Sequence, residues 1–536
     1  MRRLVGLAIL VLVPLGAGTS AWAQSLEQIS GPSPFLPGCN GGTQLGTVYP
    51  NAEVEPFVSA NPRNRRNLVA VYQQDRWSNG AANGNLTGVS FDRGQSWTRP
   101  APPPFSRCAG GNPANDGDYE RATDPWVSFG PDGTAHQIAL SVSGPAPNFD
   151  ISAILVSSSR DGGRNWGPIK TLQRDTSASL FNDKESITAD PTDSQYVYAV
   201  WDRLQVQDPN VPTSPFSGDT LFARSIDGGE TWEPTKAILD FPDNSRIQTL
   251  GNQIVVLGDG TLVNVFNLIN RGLPLVAVQR STDKGDSWSE PIIVDLLFSS
   301  ATQLQAPGVS GVVDPSDFHP VRTGDLLPEA AADPRRRSNT LHIVWQDIRF
   351  TLAAPLPYFN DSIVISSSTD GGLTWSDPRR VSENKLTQAF TPSVDVNDRG
   401  RIGVTYYDFT FDDPSGGTPL DTDYWATTLR DGSAPFSARR RLTQDSFDMR
   451  TAPDAGGFFV GDYEGLTNTG NFLPVFVTAN DGNLANRTDV FSSSFESSLS
   501  AARSAKRRVV ARVSNRQALA RLVKREGAIR GPVRSR

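Results

Sequence analysis

The chain has 536 residues, with 47 Gly, 40 Pro, two Cys and three His, and a formal charge of −7. So few thiols and imidazoles exclude a Cys/His metal centre, and the acidic balance excludes nucleic acid as partner of the folded body. Plentiful Gly and Pro point to many short strands joined by turns, an all-β chain that one closed fold can fill.

In chain order, residues 1–23 read as a secretory signal: Arg2-Arg3, an apolar run from Leu4 to Leu15, then Ala21-Trp22-Ala23 as the cleavage site. No later stretch is apolar enough to span a bilayer. The mature protein is therefore expected to be exported, extracellular or periplasmic, soluble and monomeric. Cys39 and Cys108 either pair as one disulfide in an oxidising compartment or remain two separate buried thiols.

Five octapeptides then repeat one pattern: Ser90 to Trp97, Ser159 to Trp166, Ser225 to Trp232, Ser281 to Trp288 and Ser368 to Trp375. Each holds Asp at its third position, Gly at its fifth and Trp at its eighth. The Ser hydroxyl and Asp carboxylate can accept backbone N–H bonds within a tight turn, and the Gly supplies a positive φ. The Trp is an apolar wedge between neighbouring sheets. These boxes are hairpin staples, and their recurrence announces a repeat architecture.

Around them lies a longer unit, a strand, a Pro/Asp/Gly turn and a second strand that often ends in Asp. It begins at Glu55, Asp124, Glu185, Gln253, Glu329, Pro392 and Glu464. The sixth unit keeps a decayed box, Leu429 to Phe436, and the seventh stops after its third strand near Asp489–Ser494. Four antiparallel strands per unit make a β-propeller of seven blades over residues 55–499, with six blades plus an accessory hairpin as the alternative. The N-terminal segment 24–54 is expected to supply the last blade's missing strand through Leu45–Tyr49 and so close the ring. Residues 500–536 form a basic tail, with twelve Lys or Arg from Ala501 onward against the single acid Glu526. That tail is either disordered or an amphipathic helix, and it could contact an anionic surface.

On the boxes and this repeat, residues 45–495 resemble the bacterial secreted sialidase-like, Asp-box (BNR-repeat) superfamily. The resemblance implies a propeller that acts on or binds glycans. Sialidases of this type have six blades, use a Tyr nucleophile activated by a Glu, an Asp acid/base and three arginines, and open on an Arg-Ile-Pro motif that this chain lacks.

A site is expected where first strands begin and second strands end, on the face opposite the box turns. The resemblance gives catalytic roles to Asp124, Glu185, Tyr463 and Glu464. Adjacent residues on a strand point to opposite faces, so Tyr463 and Glu464 make an awkward pair. Arg121, Asp75, Arg76, Trp77, Arg203, Asp347, Arg349 and Asp408 are the candidate substrate-binding residues, since arginine forks grip carboxylates and aromatics stack on sugars. The competing reading makes Asp75/Arg76, Asp202/Arg203 and Asp347/Arg349 salt bridges between blades. No cofactor and no metal is expected. The alternative function is a non-catalytic propeller that binds a protein or polysaccharide of the cell envelope, using the long excursions 298–326 and 412–424.

Overall fold

The computed structural model describes residues 26–41, 45–146, 149–206, 216–242, 245–352, 359–415, 419–430 and 435–495. The signal segment, the centre of the decayed box and the basic tail lie outside the described residues.

The described chain is all-β, with short 3-10 turns as its only helical pieces. Its strands fall into seven antiparallel meanders among the described residues. The first strands are Glu53–Ala60, Arg121–Phe129, Leu180–Ala189, Ile247–Val256, Glu329–Ala332, Ala389–Val396 and Gly465–Asn468. Each lies beside the next, and the last lies beside the first. Hydrogen bonds staple neighbours along this inner row, with the Phe129 N–H donating to Ser59 Oγ at 3.2 Å and the Ala189 N–H to Ser128 Oγ at 3.1 Å. Thr188 Oγ1 donates to the Ile254 carbonyl at 2.8 Å in the same fashion. The core is correspondingly divided into layers between sheets. Val69, Val71 and Val89 of the first meander, for example, pack with Val127 and Phe129 of the second and with Trp166 of its box.

The five boxes share one bonding scheme. In the first, Ser90 Oγ accepts the Gly94 N–H at 2.8 Å and Asp92 Oδ1 accepts the Ser96 N–H at 2.9 Å. Gly163, Gly229, Gly285 and Gly372 donate to their box serines at 2.8 to 2.9 Å. The five glycines have φ from 80° to 92°. That region penalises any side chain, which fixes glycine at this position.

The closing strand is not the expected one. Glu27–Gln28 pairs antiparallel with Thr488–Ser492, Glu27 opposite Ser492, while Val48 bridges Trp77 of the first meander. Burial explains the choice. Ile29, next to the strand, is 2% exposed and packs with Leu473, Val475 and Val490, whereas Leu45 is 62% exposed. The cysteines pair as one disulfide, Cys39–Cys108, with Cα atoms 4.9 Å apart, tying this N-terminal segment to the loop after the first box.

The long excursion before the fifth meander also has a definite place. Its Val321–Arg322 pairs in parallel with Phe458–Phe459, and Asp314 forms an ion pair with Arg450 at 2.7 Å. Among the described residues no helix is long and apolar enough to cross a membrane.

Candidate functional site

Five inner strands break register at one equivalent place, where one residue has left-handed backbone: Glu55 (φ 52°), Asp124 (48°), Lys184 (51°), Gly251 (69°) and Thr391 (47°). A bulge of this kind re-aims a side chain, and the strain of a non-Gly residue there costs about 1–3 kcal/mol. Three of the five re-aimed side chains are charged, and they meet. Lys184 Nζ lies 3.6 Å from Glu55 Oε1, 3.4 Å from Asp124 Oδ2 and 2.8 Å from Asp462 Oδ2. Arg322, from the long excursion, grips Asp462 from above at 2.7 Å. The side chains of Glu55, Asp124 and Asp462 are only 1%, 6% and 7% exposed.

Burial of this sort splits the titration of the acids. Desolvation pushes Glu55 up to about 8, despite Lys184. Asp124 is held below its ordinary value: burial opposes this, but Lys184 and hydrogen bonds from Thr123 and Glu55 outweigh it. Asp462 is lowered still further, against its burial, by Arg322 and Lys184. Lys184 itself is desolvated, yet the surrounding carboxylates raise it well above an ordinary lysine. The two neighbouring acids are thus driven in opposite directions, Glu55 toward its protonated form and Asp124 toward its ionised form. Gln73 braces Glu55, with its Nε2 donating to Glu55 Oε2 and its Oε1 accepting from Arg76 Nη1 at 3.0 Å.

Beneath the cluster runs an aromatic layer. Phe57 and Trp126 stack with centroids 3.5 Å apart, and Tyr463 tilts against Trp126 at 5.3 Å. The Tyr463 hydroxyl donates to the Pro125 carbonyl at 3.1 Å, and burial raises its pKa well above 10. Glu464 turns the other way, accepting from the Tyr407 hydroxyl at 2.9 Å. Tyr463 and Glu464 are thus not brought together. Glu185 shares a small cavity with Trp126 and Tyr463, and both of its carboxyl oxygens are buried without a hydrogen-bond partner. Burial, then the nearby Asp124 charge, raise its pKa well above the usual range.

Below the layer the inner strands surround a lower vestibule of about 210 Å³, lined by Phe57, Trp126, Ser128, Glu329, Ser393 and Asp395 among others. Desolvation alone pushes Glu329 up to about 8. Between pH 4.5 and 8 only the unfolded chain loses this proton, so the wild type loses stability as pH rises through that window. Glu329→Gln should therefore match the wild type at pH 4 and exceed it in melting temperature at pH 8. Melts at the two pH values check this, and an equal offset at both would refute it.

The rim candidates are mostly engaged locally. Asp75 (φ 62°) accepts from the Asn51 N–H at 2.9 Å, Ser33 Oγ at 2.8 Å and Asn83 Nδ2 at 3.1 Å. It lines a cavity of about 460 Å³ with Phe35, Asn51, Trp77 and Asn83. Trp77 carries the Arg121 guanidinium 4.1 Å from its ring, and Arg121 also donates to the Gly80 carbonyl at 2.8 Å. Arg76 is 2% exposed, its guanidinium 4.9 Å from the Phe459 ring that Arg322 also covers. Arg203 lies 4.0 Å from Asp175, while Asp202 accepts from Thr249, Gly251 and Asn252. Asp347 and Arg349 form an ion pair at 2.8 Å, and Asp408 pairs with Arg439 at 2.6 Å. Of the three expected pairs only Asp347–Arg349 is joined, within one meander and not between two; the bridge across meanders runs from Arg349 to Asp295 at 3.0 Å.

Glu55, Lys184, Asp462 and Arg322 carry no site role in the reading of the sequence. The shared strand position before a Pro or Glu was the available signal for the first two. Among the described residues no group of three or more His, Cys, Asp or Glu could hold a metal ion.

No family model and no curated protein matches the chain. Solved structures do. A Hadza microbial sialidase is 14% identical, covering 80% of this chain and 73% of its own, with a TM-score of 0.45. The leech intramolecular trans-sialidase, in complex with 2,7-anhydro-Neu5Ac, is 10% identical over 84% and 92%, with a TM-score of 0.43. The α-L-arabinofuranosidase Arb93A from Fusarium graminearum is 10% identical over 84% and 96%, with a TM-score of 0.40.

Proposed function

We propose that this chain is a secreted seven-bladed β-propeller that acts on glycans at the mouth formed by Glu55, Asp124, Lys184, Asp462 and Arg322. The blade number rests on the seven meanders whose first strands follow one another in a cycle. Secretion is supported by the leader-like residues 1–23 and by the disulfide. The functional reading is carried by one observation: two buried carboxyl groups, Glu55 and Asp124, lie 3.6 and 3.4 Å from the same Lys184 ammonium and their pKa values are driven apart, Glu55 up and Asp124 down. Such a split marks an acid and a base within one site. In glycoside cleavage the protonated partner gives its proton to the leaving oxygen, and the ionised one stabilises or activates what attacks the sugar. Glu55 takes here the part of the acid, and Asp124, to which the resemblance gave that part, takes the part of the ionised partner. Glu185 stands in reserve beneath it, and Tyr463 and Glu464 brace the channel. The cavity beside Trp77 and Asp75 has the size and the aromatic–amide lining suited to a neighbouring sugar.

A panel of aryl glycosides tests the reading. The wild type should release aglycone from at least one member, with kcat/KM falling about 100-fold or more in Glu55→Gln and Asp124→Asn. No turnover by the wild type across the panel would sink the hydrolase.

A second reading is favoured by the lid-like pairing of Val321–Arg322 with Phe458–Phe459 and by the low exposure of the carboxylates. In it the propeller binds a glycan or an envelope protein without cleaving it. Retention on a glycan array, unchanged in Asp124→Asn, would decide for binding.

A further inference from the structure

The lower vestibule has a feature that the upper site does not use. Glu329 is 8% exposed, and among the described residues its carboxyl has neither a hydrogen bond nor an ion pair. A buried acid without a partner is costly, and a cation at the same place removes that cost. The vestibule also holds Asp395, from the neighbouring inner strand, whose Oδ2 accepts from Asn468 Nδ2 at 2.7 Å. Phe57 and Trp126 line it as well, and the hydroxyl-bearing Ser128 and Ser393 complete the wall.

We propose that this vestibule is a binding site for a primary ammonium group carried on an alkyl stem. A volume of about 210 Å³ is far larger than a bare ion requires and suits a short amine. As the ammonium enters, Glu329 releases its proton to solvent and the carboxylate neutralises the charge, the hydroxyls accept the remaining N–H bonds, and the aromatic rings receive the stem or the charged head. No third acid, His or Cys joins the two carboxyls, which separates this arrangement from a cage for a hard metal ion. The vestibule adjoins the upper cluster, since Glu329, Trp126 and Gln253 also border the small cavity that holds Lys184, Glu185 and Tyr463. It faces the opposite way. The inner strands end at the same side as the third strands, whose ends carry the boxes, so the vestibule opens on the box face. A free small amine and a lysine side chain offered by a partner share this chemistry.

The test uses the full chain and ligand-observed NMR, titrating n-butylamine with 1-butanol as the neutral isostere. Nα-acetyl-lysine methylamide forms a separate arm. Saturable butylamine binding, at least tenfold weaker in Glu329→Gln and absent for butanol, is the expected result. Asp395→Asn, a second and milder variant, should weaken binding by a smaller factor, which keeps the proposal testable if Glu329→Gln fails to fold. Binding of the lysine derivative as tightly as butylamine assigns the site to a lysine side chain, and binding of butylamine alone assigns it to a free amine. The proposal is overturned if butylamine does not bind at tens of millimolar, if butanol binds equally, or if both variants bind as the wild type does. Competitive displacement of butylamine by calcium would overturn it too, by making the site a metal site. None of these readouts depends on glycoside turnover.

Discussion

Lys184→Met should destabilise the protein by about 3–5 kcal/mol, the cost of stripping a buried charge cluster of its central cation. Three carboxyl groups point at that one ammonium, which is the main offset to the desolvation of Glu55 and Asp124, while Asp462 relies on Arg322 first and Lys184 second. The deficit should depend on pH in a definite direction. Asp124 and Asp462 are lowered in the folded state, so the stability they contribute is present above pH 4 and is lost as pH falls through their folded values. Removing Lys184 takes away much of that lowering, and the mutant should therefore lie closest to the wild type in acid. Denaturant unfolding at pH 4 and pH 7.5 measures both effects. A deficit under 1 kcal/mol at pH 7.5 would mean that water, and not Lys184, solvates these acids. Lys184→Met combined with Asp124→Asn should recover part of the loss, because one of the stranded carboxylates is then gone.

Loss of the disulfide is the second large effect. Cys39 and Cys108 are 69 residues apart, and releasing a loop of that length costs about 2–4 kcal/mol. In Cys39→Ser/Cys108→Ser the damage should concentrate on residues 31–51. Ser33 and Asn51 of that stretch hold Asp75, and they wall the cavity beside Trp77. Limited proteolysis should then cut first within it, and glycan affinity, where measured, should fall with it. Cleavage no faster than in the wild type would show that the Asp75 bonds alone fasten the segment.

How much of this was legible beforehand varies with the kind of signal. The boxes were readable because their chemistry is local: Ser, Asp and Gly bond within eight residues, so each octapeptide states its own turn. Strand pairs joined by short turns were readable for the same reason. The closing strand was not. Leu45–Tyr49 and the stretch around Glu27–Gln28 are both short and extended, and the choice rests on where Ile29 finds apolar neighbours some 460 residues away. The central cluster was half legible. Glu55 and Asp124 precede prolines at one repeated position, but Lys184 breaks that pattern, and Arg322 lies in an excursion without periodicity. Tyr463 and Glu464, which resemblance to sialidases singled out, lie just ahead of the strand Gly465–Asn468 and turn to different partners, Tyr463 to the Pro125 carbonyl and Glu464 to the Tyr407 hydroxyl.

The pairing of Glu27–Gln28 with Thr488–Ser492 has a bearing on the order in which the molecule can assemble. Gln28 Nε2 donates to Asp489 across a sequence separation of 461. However early the first six meanders form, the final sheet lacks its outer strand until both extremities of the domain are present together. Assembly must therefore finish after synthesis has passed residue 492, and its last step is a slow encounter between distant ends. Until then Thr488–Ser492 is an unguarded sheet edge, the place where a partly made chain is most open to a chaperone or to a second copy of itself.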